Sequence, residues 1–212
     1  MPAAAVPVES IYDVKKPGTT IADGTSVRLG GPGLRVTAFR AKTVFVQEAA
    51  DDGTCERDPS IVAYRAIEIA SKDELPAAIA RGARVIVDGL VTTRDGRRTI
   101  ENAVVSVVAE PIREYASHCV RDSTVLSTYA LDAVFVTTAG ETEDVFASDA
   151  SWLVRTCFGD TIRIGALTSA EQTSLPAWLW LSGNVRHGIT ETRIEPRDDD
   201  DVGPRGGNDV CL

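Results

Sequence analysis

Apolar and polar residues alternate with a period of two along most of the chain, and clusters of Gly, Asp and Pro interrupt the alternation, so the predicted elements are β-strands joined by turns. In the first half, residues 25–39 (TSVRLGGPGLRVTAF) read as one long strand bent or interrupted at Gly30, Gly31 and Gly33, because glycine inside a strand marks a bulge or a sharp coil. Further strands are predicted over 43–49, 60–70, 83–92 and 98–108, the last two joined by an Asp95-Gly96 pair suited to a tight hairpin turn. The pattern changes once, at 71–82. There Ser71, with Glu74 three residues later, forms a capping box and Gly82 falls where a left-handed cap would close a short helix. Five strands with one helix between the third and the fourth is the element order of the OB fold, a small Greek-key barrel.

A second unit follows with the same succession of features. Residues 175–197 (LPAWLWLSGNVRHGITETRIEPR) echo the stretch that begins LPAAIARGARVIVDGLV: an L-P-A start, a strand carrying x-G-x-V, a glycine turn and a polar strand with a central Ile. The matching glycines, Gly89 and Gly183, stand 94 residues apart (183 − 89), about one such domain. More strand candidates lie at 125–139, 145–149, 151–157 and 161–169, and no capped helix is evident among them. The fold expectation is therefore all-β: two tandem OB-fold, five-stranded Greek-key barrels, the first with a short helix between strands 3 and 4. The segments SIYDVKKPGTTIADGTSVRLGG, VFVQEA and GARVIVDGLVTTRDGRRTIENA resemble OB-fold modules appended to secreted bacterial nucleases and found in bacterial surface lipoproteins, although the usual Asp after Gly82 is missing. That resemblance implies fold and export rather than activity. The expected divisions are an N-terminal extension (1–18), a first OB domain (19–112), an OB-like second domain (120–197) and an acidic tail (198–212).

Charge and cysteine usage narrow the functional classes. The formal net charge is -9. Residues 1–115 carry 15 Lys+Arg against 16 Asp+Glu, whereas residues 116–212 carry 7 against 15. The second half repels polyanions, so a nucleic acid would have to use a local patch of the first. Cys55, Cys119, Cys157 and Cys211 are too far apart for a CxxC metal or redox motif, and their even number allows three complete disulfide pairings. They point to an extracytoplasmic setting (periplasmic, cell-surface or secreted), with inert thiols of a cytosolic protein as the alternative. No run of about 18 apolar residues is present, so membrane insertion is not expected. His118 and His187 are the only histidines, no G-x-S-x-G or Cys/His nucleophile pattern occurs, and LGGPGL lacks P-loop spacing. The four aspartates of 198–201 lack the spacing and bidentate Glu of a calcium loop. No enzyme activity, cofactor or metal is expected.

Candidate binding residues come from the loops of the first unit. On an OB fold, ligands lie across strands 2 and 3 between the 1–2 and 4–5 loops. These loops would bring Arg40 and Lys42 toward Arg94, Arg97 and Arg98, with Phe45 and Tyr64, and Phe39 beside them, placed for stacking. A single-stranded nucleic acid or another polyanion is the ligand this arrangement suggests. The rival reading makes the arginines solvated charges at a hairpin tip and the aromatics core residues. In the second unit the equivalent 1–2 loop, AGETED (139–144), is acidic. Trp152, Trp178 and Trp180 suggest core packing there, or a protein or carbohydrate surface. The further alternatives are an accessory domain of a secreted nuclease or hydrolase and a protein-interaction module of the cell surface.

Overall fold

The structure, a computed structural model, describes residues 6–7, 10–48, 62–115, 117–120, 129–146, 151–156, 159, 161–165, 178–187, 191–197 and 201–204. It is all-β, as the alternation predicts. The first half contributes β1 (Val6–Pro7), β2 (Ser26–Leu29), β3 (Arg35–Arg40), β4 (Thr43–Gln47), β5 (Ala66–Ser71), β6 (Val85–Arg94) and β7 (Arg97–Val107). Their order across the sheet is β1-β2-β6-β7-β5-β4-β3, with β5 and β7 parallel. The long first strand is divided at its glycines into β2, which pairs with β6, and β3, which pairs with β4. An isolated bridge joins Arg35 of β3 to Arg84, just before β6, and the Val36 amide donates to the Ala83 carbonyl at 3.0 Å. At the β6–β7 turn Asp95 and Gly96 both have positive φ, 51° and 77°, the conformation that a two-residue hairpin turn requires.

The second half contributes β8 (His118–Cys119), β9 (Phe135–Phe146), β10 (Ser151–Thr156), β11 (Thr161–Ile164), β12 (Trp178–His187), β13 (Thr192–Glu195) and β14 (Val202–Pro204). The pairings β9–β10, β10–β11, β11–β13, β13–β12 and β12–β9 form a ring, so five strands close into a barrel; β11 and β13 are its parallel pair. Strand succession matches that of the first half. The spacing read from the glycines recurs in the packing. A methyl added at Gly89 would lie 2.4 Å from Ile100 Cγ2, and one at Gly183 would lie 2.6 Å from Ile194 Cγ2, so each glycine admits the isoleucine of the neighbouring strand.

Three expectations are corrected. No helix occupies 71–82: Ser71 ends β5, and residues 72–83 form turns and irregular backbone. With Ser71 as cap, Pro76 would fall within the helix, where it removes an amide donor and crowds the preceding turn, and it biases Leu75 toward extended backbone. Gly82 does adopt a left-handed φ of 73°, but as a turn residue whose amide donates to the Val36 carbonyl. The α-helix among the described residues is instead α1 (Ile11–Lys15), in the supposed N-terminal extension. Its N-cap is Ser10, and Ile11 and Val14 enter the first core. At five residues it is too short to have announced itself by periodicity. The acidic tail is also more than a tail, since Val202–Pro204 forms β14 and pairs with β12.

Two hydrophobic clusters form the cores. The second, built around Leu131, Val154, Ile164, Leu179, Leu181 and Ile194, also takes in Val62 and Ala66 from the first half, with Phe45 packed against it. Trp152 is buried there as well.

Gly89→Ala and Gly183→Ala should each lower unfolding stability by about 1–3 kcal/mol, the usual cost of overpacking. Gly30→Ala, whose methyl would rest at an ordinary 3.5 Å from Ile86 Cγ1, should stay within about 0.5 kcal/mol. Urea titrations of the three variants check this, and three equal midpoints would contradict the packing argument.

Candidate functional site

The outward side chains of β3, β4, β5 and β7 make the face on which the sequence placed a ligand. Alternation sends Val44, Val46, Ile67 and Ile69 into the first core, which turns Phe45, Gln47, Ala66 and Glu68 to the opposite side. That side is closed. Thr37 is 3% exposed, Gln47 0%, Glu68 8%, Arg97 3% and Thr99 4%, because the second half lies on them.

Side-chain amides and backbone groups fasten the two halves. Gln47 Oε1 accepts from the Phe135 amide at 3.1 Å, and Asn184 Nδ2 donates to Thr37 Oγ1 at 3.0 Å and to the Ala133 carbonyl at 2.9 Å. The Tyr64 amide donates to the Ala130 carbonyl at 2.7 Å, and the Arg98 amide to the Tyr129 hydroxyl at 2.7 Å. Arg197 Nη1 donates to the Thr37 carbonyl at 3.4 Å while its guanidinium lies over the Phe135 ring.

An ionic cluster lies within this junction. Lys15, at the end of α1, has no exposed side-chain surface; its Nζ donates to the Ala66 carbonyl at 2.8 Å and the Asp132 carbonyl at 2.7 Å, and lies 3.5 Å from Asp132 Oδ2. Arg97 Nη1 is 2.8 Å from Glu68 Oε2 and 3.8 Å from Asp132 Oδ1. Asp132 also accepts the His187 amide at 3.0 Å, and Arg186 Nη2 reaches Glu68 Oε1 at 3.9 Å. Burial pushes the Lys15 ammonium below its ordinary pKa, opposed by the charge and hydrogen bond of Asp132. Tyr129, whose ring lies 5.0 Å from Lys15 Nζ, has its phenol raised by burial to about 12. The rings of Tyr12, Tyr64, Tyr129 and His187 continue from the surface into the junction at centroid spacings of 6.2, 6.3 and 6.4 Å.

The helix is held at both ends. Glu48 Oε1 accepts the Ile11 amide at 2.5 Å and Oε2 accepts Ser10 Oγ at 3.1 Å, a carboxylate at the helix N-terminus; burial nonetheless raises the Glu48 pKa. The connecting segment is fastened as well. Glu110 bonds Arg84 Nη1 at 3.0 Å and Arg35 Nη2 at 2.5 Å, and these arginines, Arg84 first, lower its pKa. The Tyr115 hydroxyl donates to the Gly33 carbonyl.

The predicted binding residues therefore do not form one open groove. Arg97 is buried against Glu68, contrary to its expected place at a groove rim. The reason is register: Glu68 stands opposite Thr99, which turns Arg97 inward under the second half. Arg40 and Lys42 border the 70–71 end of β5, since Thr43 pairs with Ala70 and the Ser71 amide bonds the Lys42 carbonyl. The β6–β7 turn lies beyond the other end. Lys42 pairs with Glu74 at 3.5 Å, Arg94 with Glu101 at 2.7 Å, and Arg98 Nη1 donates to the Ile21 carbonyl at 2.6 Å. Phe45 and Tyr64 belong to the junction, the latter with a left-handed φ of 60°, so neither is an open stacking platform. Arg40 and Phe39 are exposed at the β3–β4 tip. Cys119 is disulfide-bonded, and Cys55, Cys157 and Cys211 lie outside the described residues, as does the side chain of Trp178.

On the far side of the first half, Ser26, Lys72, Asp88, Gly89, Leu90 and Asn102 line an open depression of about 360 Å³. Leu90 (37%) and Val104 (52%) are exposed on that side, and Asn102 has a φ of 50° next to the Asp88/Leu90 register shift. Among the described residues no group of three or more His, Cys, Asp and Glu side chains is placed to hold a metal ion, and no helix is long and apolar enough to cross a membrane. Sequence reasoning missed Lys15, Glu68 and Asp132. For Glu68 a signal existed, a single charge inside the apolar strand AIEIA, which calls for a partner if both faces are buried. Comparison with models of protein families, with curated proteins and with solved structures finds no match for this chain.

Proposed function

We propose that the chain is a non-enzymatic, extracytoplasmic binding module of two tandem OB barrels, and that its macromolecular partner is a protein rather than a polyanion. The observation that carries this reading is the fate of the basic residues. Four of the five sit at an ion pair or an internal hydrogen bond, and the most central one, Arg97, is buried against Glu68. A polyanion gains affinity by displacing counterions through accessible cations, and here the central cation is buried while Lys42 and Arg94 already face carboxylates of the same chain. The outer side of β2, β6 and β7 instead combines exposed aliphatic side chains with a depression edged by Lys72 and Asp88, a mixture suited to a protein surface. The tandem-barrel reading draws support from the shared strand order and from the matching Gly–Ile contacts. The extracytoplasmic reading draws support from the cysteine usage and the bonded Cys119.

Fluorescence anisotropy with a labelled single-stranded oligonucleotide tests the ligand class. At low salt no saturation is expected below about 100 μM, the weak limit of ordinary non-specific binding. Saturable, salt-sensitive binding that disappears in the Arg40→Ala/Lys42→Ala variant would restore the polyanion reading. For the compartment, the intact mass of protein isolated with its export route intact should rise by about 4 Da on reduction, two hydrogens for each of two bridges. An unchanged mass would remove the argument for export.

A further inference from the structure

Lys15 and Asp132 bring an amine and a carboxyl group together in a place shielded from solvent. Neither side chain has exposed surface, and Lys15 Nζ lies 3.5 Å from Asp132 Oδ2. The carboxyl carbon is therefore at most one C–O bond, about 1.2 Å, farther from the amine. Apolar packing fixes both partners. Ile11 and Val14 of α1 are fully buried beside Lys15, Leu131 and Ala133 are buried on either side of Asp132, and the Tyr129 ring lies 5.0 Å from Nζ. The two carboxyl oxygens have different surroundings. Oδ1 accepts the His187 amide at 3.0 Å and lies 3.8 Å from Arg97 Nη1, whereas Oδ2 faces the amine. Donors gathered on the oxygen away from a nucleophile are what stabilises the oxyanion of acyl transfer. Glu68 holds Arg97 at 2.8 Å and is itself reached by Arg186, which keeps the guanidinium beside Oδ1. Burial lowers the Lys15 pKa, and this favours the neutral, nucleophilic amine.

From this geometry we infer that Lys15 and Asp132 condense within the folded protein to an amide, a covalent cross-link between α1 and the second half. The ammonium first passes a proton to Oδ2. Nζ then attacks the carboxyl carbon, forming the Nζ–Cγ bond, and negative charge develops on Oδ1 beside the His187 amide and Arg97. Collapse of this intermediate breaks the Cγ–Oδ2 bond, and a second Nζ proton leaves with that oxygen as water. The third hydrogen stays on the amide, so the step balances without an oxidant, a cofactor or an outside proton. In bulk water the hydration of both ions opposes such a condensation. Here burial has already removed that hydration, and the amide relieves the site of two buried charges. Groups held together in this way react as though at an effective concentration of about 10⁵–10⁸ M when well oriented. The ion pair is the precursor of the amide, and in either form the two residues act together. The inference is independent of the protein-binding reading, which concerns the opposite side of the first half.

Mass spectrometry of the full chain, folded and afterwards reduced and denatured, tests it. The intact mass should lie about 18 Da, one water, below that of the sequence. A proteolytic digest should contain a branched peptide that joins the segment of Lys15 to the segment of Asp132. Asp132→Ala, which removes the acceptor, should show its full mass and yield Lys15 in a linear peptide. A wild-type chain of full mass, a water loss placed elsewhere, as at Asp95-Gly96, or a loss that persists in Asp132→Ala would overturn the cross-link. If Asp132→Ala does not fold, the wild-type digest decides. Reduction removes any contribution from disulfide bridges and no ligand is present, so failure here can be told from failure of the compartment or binding readings.

Discussion

A lysine ammonium with no solvent-exposed side-chain surface is the constraint around which the halves are arranged. An isolated charge in such a place would lose its proton or unfold its surroundings. Lys15 is kept by two backbone carbonyls and the Asp132 carboxylate, contributed by segments 51 and 117 residues away along the chain. Removing one partner of such a buried pair typically costs about 3–5 kcal/mol, because the other charge is then stranded. The docking of β5 against the 3-10 turn, the burial of Glu68 and Arg97 and the position of α1 are therefore coupled. None of these groups is comfortably buried unless the others are present.

This coupling explains which parts of the molecule the sequence disclosed. Strands follow from a local, two-residue period, so β4, β6, β7 and the Asp95-Gly96 turn were legible, as was the split of the first strand at its glycines. The Gly89/Gly183 correspondence was legible because it is a spacing, and the structure gives it a cause in Ile100 and Ile194. The helix at 71–82 was expected on caps alone, and Pro76 outweighed them. Lys15 and Asp132 were hidden for a different reason: no local pattern announces that a charge will meet a partner 117 residues away.

The candidate site shows the same division. Arg94, Arg97 and Arg98 are adjacent in sequence at a hairpin, yet their surroundings diverge, one half exposed beside Glu101, one buried against Glu68 and one reaching the Ile21 carbonyl. A single strand register separates these fates. Net charge indicated that a polyanion was a poor general partner, and in the local patch Lys42, Arg94 and Arg97 each face a carboxylate of the same chain. Leu90 and Val104 on the outer side of β2, β6 and β7, and Phe39 at the β3–β4 tip, are the exposed apolar side chains of these strands.

The central claim is that Lys15 and Asp132 act as one unit, and a double-mutant cycle measures it most directly. Lys15→Met, Asp132→Asn and the double variant would be compared with the parent by denaturant unfolding. The account predicts a coupling energy of at least about 1 kcal/mol, since residues in one buried ionic network are not additive. Additivity of the two substitutions within about 0.3–0.5 kcal/mol would contradict it.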